Sequence, residues 1–221
     1  MFFQRKNISC ALMYEKIPLS TRIDDLTFIV FDTETTGFQV ATTDRLIEIG
    51  GVPVSGLKVI ENARFQTYVN PERQISREII ELTSITDAKV AGAPVALEAI
   101  HDFFDYVGSH KAVCLVGHYV GFDYLVLKSE LKREKLALKK LFTIDTLDLI
   151  GYIAPSYDMR DLERYAMAFG TRIYDRHSAV GDALTTAYLF AELLQQFKDR
   201  GHSTWGELIM ATDSQMRSMQ F

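Results

Sequence analysis

The chain has 221 residues, 48% hydrophobic, 11% aromatic and 24% charged, which is the make-up of an ordinary globular domain and excludes a disordered, collagen-like or low-complexity chain. Its 24 Lys and Arg against 29 Asp and Glu leave a net charge of −5, so the molecule as a whole has no field that would gather a phosphate polyanion. A chain of this length buries enough surface to fold without disulfides or a structural metal, and one domain is expected. Cys10 and Cys114 lie far apart with no CxxC spacing, which fits a reducing compartment and two inert thiols. Charges at Arg5, Lys6, Glu15 and Lys16 interrupt the N-terminal apolar pairs, leaving no signal-peptide core, and no apolar run approaches the roughly 20 residues that cross a bilayer. A cytoplasmic protein with no membrane partner is expected.

Residues 1–24 read as an N-terminal extension with no visible catalytic element, 25–200 as one folded unit and 201–221 as a C-terminal tail. The apolar run 26–31 (LTFIVF) predicts a strand buried on both faces. Two extended segments follow, 45–54 and 57–69, joined at Ser55-Gly56 as a hairpin. Residues 76–82 and 94–107 have helical spacing, the second with Leu97, Ile100, Phe103, Phe104 and Val107 on one stripe and Pro94 at its first turn. Then come a short strand at 112–116, a helix at 122–135, a strand at 141–144, a helix at 161–169 ended by Gly170, and a long helix at 178–197. Strands and a hairpin followed by alternating helices and strands predict an α/β protein with a mixed sheet flanked by helices.

Three places put acids at the ends of core elements. The first strand runs into Phe31-Asp32-Thr33-Glu34-Thr35-Thr36-Gly37-Phe38, where strand alternation points Asp32 and Glu34 to one side, within reach of one cation. Gly117-His118-Tyr119-Val120-Gly121-Phe122-Asp123 follows the strand at 112–116 and sets Asp123 in a first helical turn, where a carboxylate also complements the helix dipole. His177-Ser178-Ala179-Val180-Gly181-Asp182 leads into the long helix, with His177 five residues ahead of Asp182 and able to fold back beside it. Taken singly, these read equally as a solvent-facing acid pair, a dipole-complementing Asp, a loop histidine and a Ser178 helix cap.

Together, DxE, HxxxxD and HxxxxD resemble the DEDDh (DnaQ-like) 3′-to-5′ exonucleases, a group that includes polymerase proofreading subunits and ribonuclease T. The resemblance spans about 26–194, and Ile47-Glu48-Ile49-Gly50, Val69-Asn70-Pro71, Ile144-Asp145-Thr146-Leu147 and the TAYLF helix support it. It implies a ribonuclease H-like fold with a mixed five-stranded sheet, metal-binding roles for Asp32, Glu34, Asp123 and Asp182, and His177 as general base. Ser178 stands where the sister subfamily carries Tyr, and Tyr119 stands where family members commonly have Asn.

The resemblance further implies two Mg²⁺ or Mn²⁺ ions, an assignment that an all-oxygen ligand set without nearby Cys favours over zinc. The substrate would be the 3′ end of single-stranded DNA or RNA, DNA being favoured, with in-line attack releasing 5′-mononucleotides. Thr35, Thr36, Gly37 and Phe38 would meet the terminal nucleotide, Phe38 as a stacking surface or equally as core packing, and His118 a phosphate. An RNA-processing exoribonuclease is the alternative; a non-catalytic nucleic-acid-binding or assembly module has little reason to keep so many repelling charges. The net charge of −5 then predicts metal-dependent substrate binding.

Lys128, Lys132, Arg133, Lys135, Lys139 and Lys140 form a basic cluster, read as a solvated helix face paired internally with Glu130 and Glu134 in preference to a strand-tracking patch. The tail carries a T-x-x-E capping box at Thr204-Glu207 and the single Trp. It reads as a segment folded back onto the domain in preference to a docking helix for a DNA polymerase subunit or a homodimer partner.

Overall fold

The structure, a computed structural model, describes residues 6–157 and 159–213; the outer parts of the extension and tail, 1–5 and 214–221, lie outside the described residues. Strand β1 (Lys6–Ile8) opens the chain. Strand β2 (Thr27–Thr35) extends the predicted apolar run through both acids of the DxE motif. Strand β3 (Leu46–Ser55) returns antiparallel to it. The hairpin then turns at Gly56 and Leu57, both with positive φ (55° and 62°), the backbone that matches the twist of a two-residue turn, into β4 (Lys58–Val59).

The predicted single segment 57–69 is broken by a 3₁₀ turn at Glu61–Ala63 and resumes as β5 (Phe65–Tyr68). Side chains hold the break from elsewhere in the fold: the Tyr106 hydroxyl donates to the Ala63 carbonyl (2.8 Å) and the Tyr174 hydroxyl to Glu61 (3.0 Å). Helices α1 (Arg77–Thr83), α2 (Asp87–Val90) and α3 (Ala96–Ser109) follow, α3 beginning just after Pro94. Strand β6 (Leu115–Gly117) leads into α4 (Val120–Arg133), which ends ahead of the expected 135 because Lys135 turns left-handed at φ 59°.

Strand β7 (Leu136–Leu138) and strand β8 (Thr143–Asp145) precede α5 (Thr146–Ile153), a helix that the sequence pattern did not announce. Helix α6 (Leu162–Ala168) is capped by the Asp161 side chain on Arg164 N (2.9 Å). The long helix α7 (Ala179–Asp199) and α8 (Trp205–Thr212) complete the described chain.

The main sheet has the order β4-β3-β2-β6-β8, with β5 sharing the outer edge of β3 with β4. Strands β2, β6 and β8 run parallel and β3 antiparallel to β2. The expected mixed five-stranded sheet is present as five positions, the outermost filled by two short strands. Alternation along β2 divides the core. Phe28 and Val30 face a cluster built with α5, α6, α7 and α8, while Ile29 and Phe31 face a second cluster built with α3 and α4. No helix among the described residues is long and apolar enough to cross a membrane.

The extension and the tail are zipped together and to this core. Strand β1 pairs in parallel with β7. Tyr14 stacks on Phe142 (5.0 Å between centroids), and Phe142 meets Trp205 edge-on (5.5 Å). Trp205 N donates to Thr21 O and Gly206 N to Leu19 O, both at 2.8 Å, and Lys198 pairs with Asp24 at 2.7 Å. Trp205 is 0% exposed, and both bonds of the Thr204–Glu207 capping box form. Replacing a fully buried indole leaves a large void, so Trp205→Ala is expected to cost about 3–5 kcal/mol, read from the midpoint of urea unfolding.

Candidate active site

The two-residue repeat of β2 carries past the core into the acids. Asp32 and Glu34 continue the α7-facing register of Phe28 and Val30, and Thr33 continues the α4-facing register of Ile29 and Phe31. On the α4 side, the Thr33 backbone N–H (2.9 Å) and hydroxyl (2.6 Å) both donate to Asp123 Oδ1. On the α7 side, ligand atoms of Glu34, His177 and Asp182 lie within 4.8 Å of one another. The register shifts between Glu34 and Thr35, a bulge at the point where the strand leaves the acids.

Helix α7 approaches β3 closely enough that only glycine fits beneath it. Gly50 is the cross-strand partner of Asp32, and a Cβ there would meet the Ala179 carbonyl carbon at 2.3 Å. At Gly181 a Cβ would meet Asp175 O at 2.0 Å, so the chain ahead of α7 folds back against its first turn. Ser178 occupies the cap position but makes no side-chain cap bond. The cap is Glu48: its Oε2 accepts from Ala179 N (2.9 Å), while Gln66 Nε2 holds its Oε1 (2.6 Å). His177, left-handed at φ 59°, donates its backbone N–H to Asp182 Oδ2 (3.1 Å), and the Arg176 guanidinium bonds Asp182 Oδ1.

The carboxylates crowd one another away from water. Burial first, then the charges of Asp182, Glu48 and Asp123, push Glu34 up to about 8. Burial takes Asp123 up to about 7 against the two Thr33 bonds. Asp32 is held well above its ordinary range by burial and by Asp123, Asp182 and Glu34; burial also raises Asp182, against Arg176.

A cleft of about 320 Å³ opens over these groups, at the lower end of the ~300–1,000 Å³ usual for small-ligand sites. Asp32, Glu34, Asp182 and His177 line its floor, with Thr35 and Gly37 beside them; Asp123 and Thr36 are not in the lining. Thr36 instead bonds Asp44 (3.1 Å). Phe38 is 84% exposed at the lip, which excludes core packing, and its ring lies 5.9 Å from that of Phe122. Ile79 and Leu82 of α1 belong to the same lining. His118 Nδ1 bonds Thr146 Oγ1 (2.8 Å) and Nε2 the Arg160 carbonyl (3.3 Å); burial lowers its pKa. A phosphate contact would have to replace one of these bonds.

The exonuclease family of the RNase T type matches residues 29–190. The PolC-type DNA polymerase III of Bacillus subtilis is 33% identical over 187 residues, 84% of this chain, and that of Caldanaerobacter subterraneus 33% over 181 residues, 82% of this chain. The chain spans only 13% and 12% of the length of these relatives. Among solved structures, the nuclease domain of 3′hExo, a DEDDh family member bound to rAMP, superposes with a TM-score of 0.69 at 19% identity, covering 76% of this chain and 92% of that one. E. coli Exonuclease I with a dA16 oligonucleotide gives 0.64 at 18% identity, covering 89% and 45%. The chain belongs to the DEDDh exonuclease family. Its fold is the ribonuclease H-like one.

DEDDh exonucleases use divalent metal ions, and a neighbouring E. coli Exonuclease I structure is a zinc-bound form with single-stranded DNA. The residues here fit such an ion, because carboxylates with raised pKa values crowd one cleft, where the Arg176 guanidinium pairs with Asp182. Three residues behind the DEDDh site were given no role by the sequence, although Glu48 and Asp145 stand in segments that support the resemblance. Thr33 is unremarkable between two acids. Glu48 carried a signal, a lone acid inside an apolar strand directly across from Glu34. Asp145 accepts from Tyr119 N (3.2 Å), Val120 N (3.0 Å) and Leu147 N (3.0 Å), so one carboxylate holds the starts of α4 and α5. It supports Tyr119 in a left-handed backbone (φ 59°) that Asn enters more readily and that costs other residues roughly 1 kcal/mol or more.

Acids with raised folded-state pKa values keep protons that the unfolded chain has released. Stability of the metal-free protein is therefore expected to fall as pH rises from about 4 to about 8. Thermal melts should show a lower Tm at pH 8.5 than at pH 5.5, and saturating Mn²⁺ should raise Tm by about 5 °C at pH 8.5 and by less at pH 5.5. Glu48→Ala leaves Ala179 N without its acceptor, whereas Glu48→Gln keeps an acceptor oxygen. The Ala variant should be less stable than the Gln variant by about 1–3 kcal/mol in urea unfolding.

Proposed function

We propose that this chain is a metal-dependent 3′-to-5′ exonuclease that hydrolyses the terminal phosphodiester bond of single-stranded nucleic acid, with DNA favoured, and releases 5′-mononucleotides. The observation that carries the reading is the gathering of Glu34, Asp182 and His177 within 4.8 Å on the floor of a cleft whose lip exposes Phe38. The PolC-type relatives support DNA over RNA, and the dA16 complex of Exonuclease I supports a single strand. A cytoplasmic location, and a polymerase subunit or a second copy of the chain as partner, accompany this reading.

Asp32, Glu34 and Asp182 would hold two Mg²⁺ or Mn²⁺ ions, with Asp123, braced by Thr33, completing the set. When bound, such ions neutralise charge building on the phosphoryl and leaving oxygens. His177 takes the proton of the attacking water. Its left-handed backbone and its N–H bond to Asp182 fix the start of its side chain beside the acids. Water oxygen bonds to phosphorus as the bond to the 3′ oxygen of the preceding nucleotide breaks, and that oxygen leaves to be protonated. Phe38 and Phe122 offer ring surface to the terminal base, and Thr35 and Gly37 line its approach.

A labelled single-stranded DNA and its RNA counterpart, incubated with and without EDTA, test the reading: stepwise shortening from the 3′ end, lost with EDTA and faster on DNA, is expected. Asp182→Ala should abolish hydrolysis, and full activity in that variant would sink the assignment. His177→Ala should lower kcat by about 10²–10⁴-fold while Mn²⁺ binding, followed by calorimetry, is retained.

A further inference from the structure

The basic cluster that runs along α4 and past its end is organised differently from the paired, solvated face that its sequence suggests. Glu130, the acid expected to neutralise it, turns inward and is 3% exposed. Its carboxylate accepts from Arg45 Nε (3.0 Å) and Leu46 N (3.1 Å) and forms an ion pair with Arg133 (3.1 Å), none of these partners a lysine. Lys128, Lys132, Lys135, Lys139 and Lys140 are all exposed, and among the described residues none makes an ion pair. Glu134 is the one exposed acid in the run.

These lysines continue a line that begins at the cleft. The exposed residues of α4 are Gly121, Leu125, Lys128 and Lys132, spaced four, three and four apart and therefore one stripe. The stripe starts beside Tyr119 and Phe122, which line the cleft. At a rise of 1.5 Å per residue, Lys128 and Lys132 lie about 9 and 15 Å along the helix axis from Phe122. Lys135 follows the helix end, Lys139 N donates to Ile8 O (2.8 Å), and exposed Lys6 pairs in register with Leu136, so the small β1–β7 ribbon extends the same positive surface.

We propose that this lysine stripe is the track for the phosphodiester backbone upstream of the 3′-terminal nucleotide, an inference that rests on the exonuclease reading above. A row of point charges leading away from a base-stacking lip suits a sequence-independent polyanion that must slide as it shortens. Its placement also reconciles the net charge of −5 with a polyanionic substrate, since the positive field is local to the path out of the cleft.

The triple variant Lys128→Gln, Lys132→Gln, Lys135→Gln in the full chain tests it, because exposed lysines are replaced without touching the core. kcat/KM is measured over a NaCl series in Mg²⁺ on an oligo(dT) of about 20 nucleotides, and on the p-nitrophenyl ester of thymidine 5′-phosphate, which is too short to reach the stripe. Expected are a loss of about tenfold or more on the oligonucleotide near 0.1 M salt, a salt slope shallower by about 2, and an ester rate equal to wild type. Unchanged kcat/KM and slope on the oligonucleotide would overturn the track and leave the stripe to an acidic protein surface. Equal losses on ester and oligonucleotide would overturn it too. A wild-type chain inactive on both substrates would remove the exonuclease reading and the track with it.

Discussion

Like charges held close together out of water are the constraint on which this structure turns. Asp32, Glu34, Asp123 and Asp182 repel one another, and burial raises the cost of each. Left to local preference they would separate and hydrate. The fold keeps them together by fixing backbone: a central strand supplies two, and Thr33 clamps the third from the opposite face of that strand. Glu48 and two glycines pin the helix that brings the fourth. Arg176 beside Asp182 is the sole guanidinium bonded to these acids among the described residues. The surroundings of the site are thus chiefly scaffold, and the energy stored in the crowding is what a cation would relieve.

Most of this was legible where chemistry and periodicity coincide. FDTETTGF announced a strand ending in two acids on one side, and alternation alone placed them correctly. The capping box and the buried Trp205 matched the tail expected to fold back. The losses have physical causes. Strands β1 and β7 are three residues each and pair in parallel across more than half the chain, so no local pattern marks them. Helix α5 starts at the residue after β8 ends, without a loop to separate the two, because Asp145 serves as last strand residue and helix cap at once.

Residues whose partners are distant were the hardest to read. Glu130 looked like a surface acid at helical spacing from lysines, yet it is the inward anchor for Arg45 and the start of β3. His118 looked free to meet a phosphate, yet both ring nitrogens are engaged, which ties the chain before α6 to α5. In each case the residue type was informative about chemistry and silent about direction, since direction is decided by packing between segments far apart in sequence.

The alternation of β2 carries an evolutionary consequence. Deleting or inserting one residue between Phe28 and Thr33 would leave every side chain of the motif present but exchange the faces, turning Thr33 toward α7 and the two acids toward α4. Substitutions in this stretch can be absorbed by repacking, whereas a change in its length cannot. Descendants of this chain can therefore vary the letters of the strand far more freely than they can vary its count.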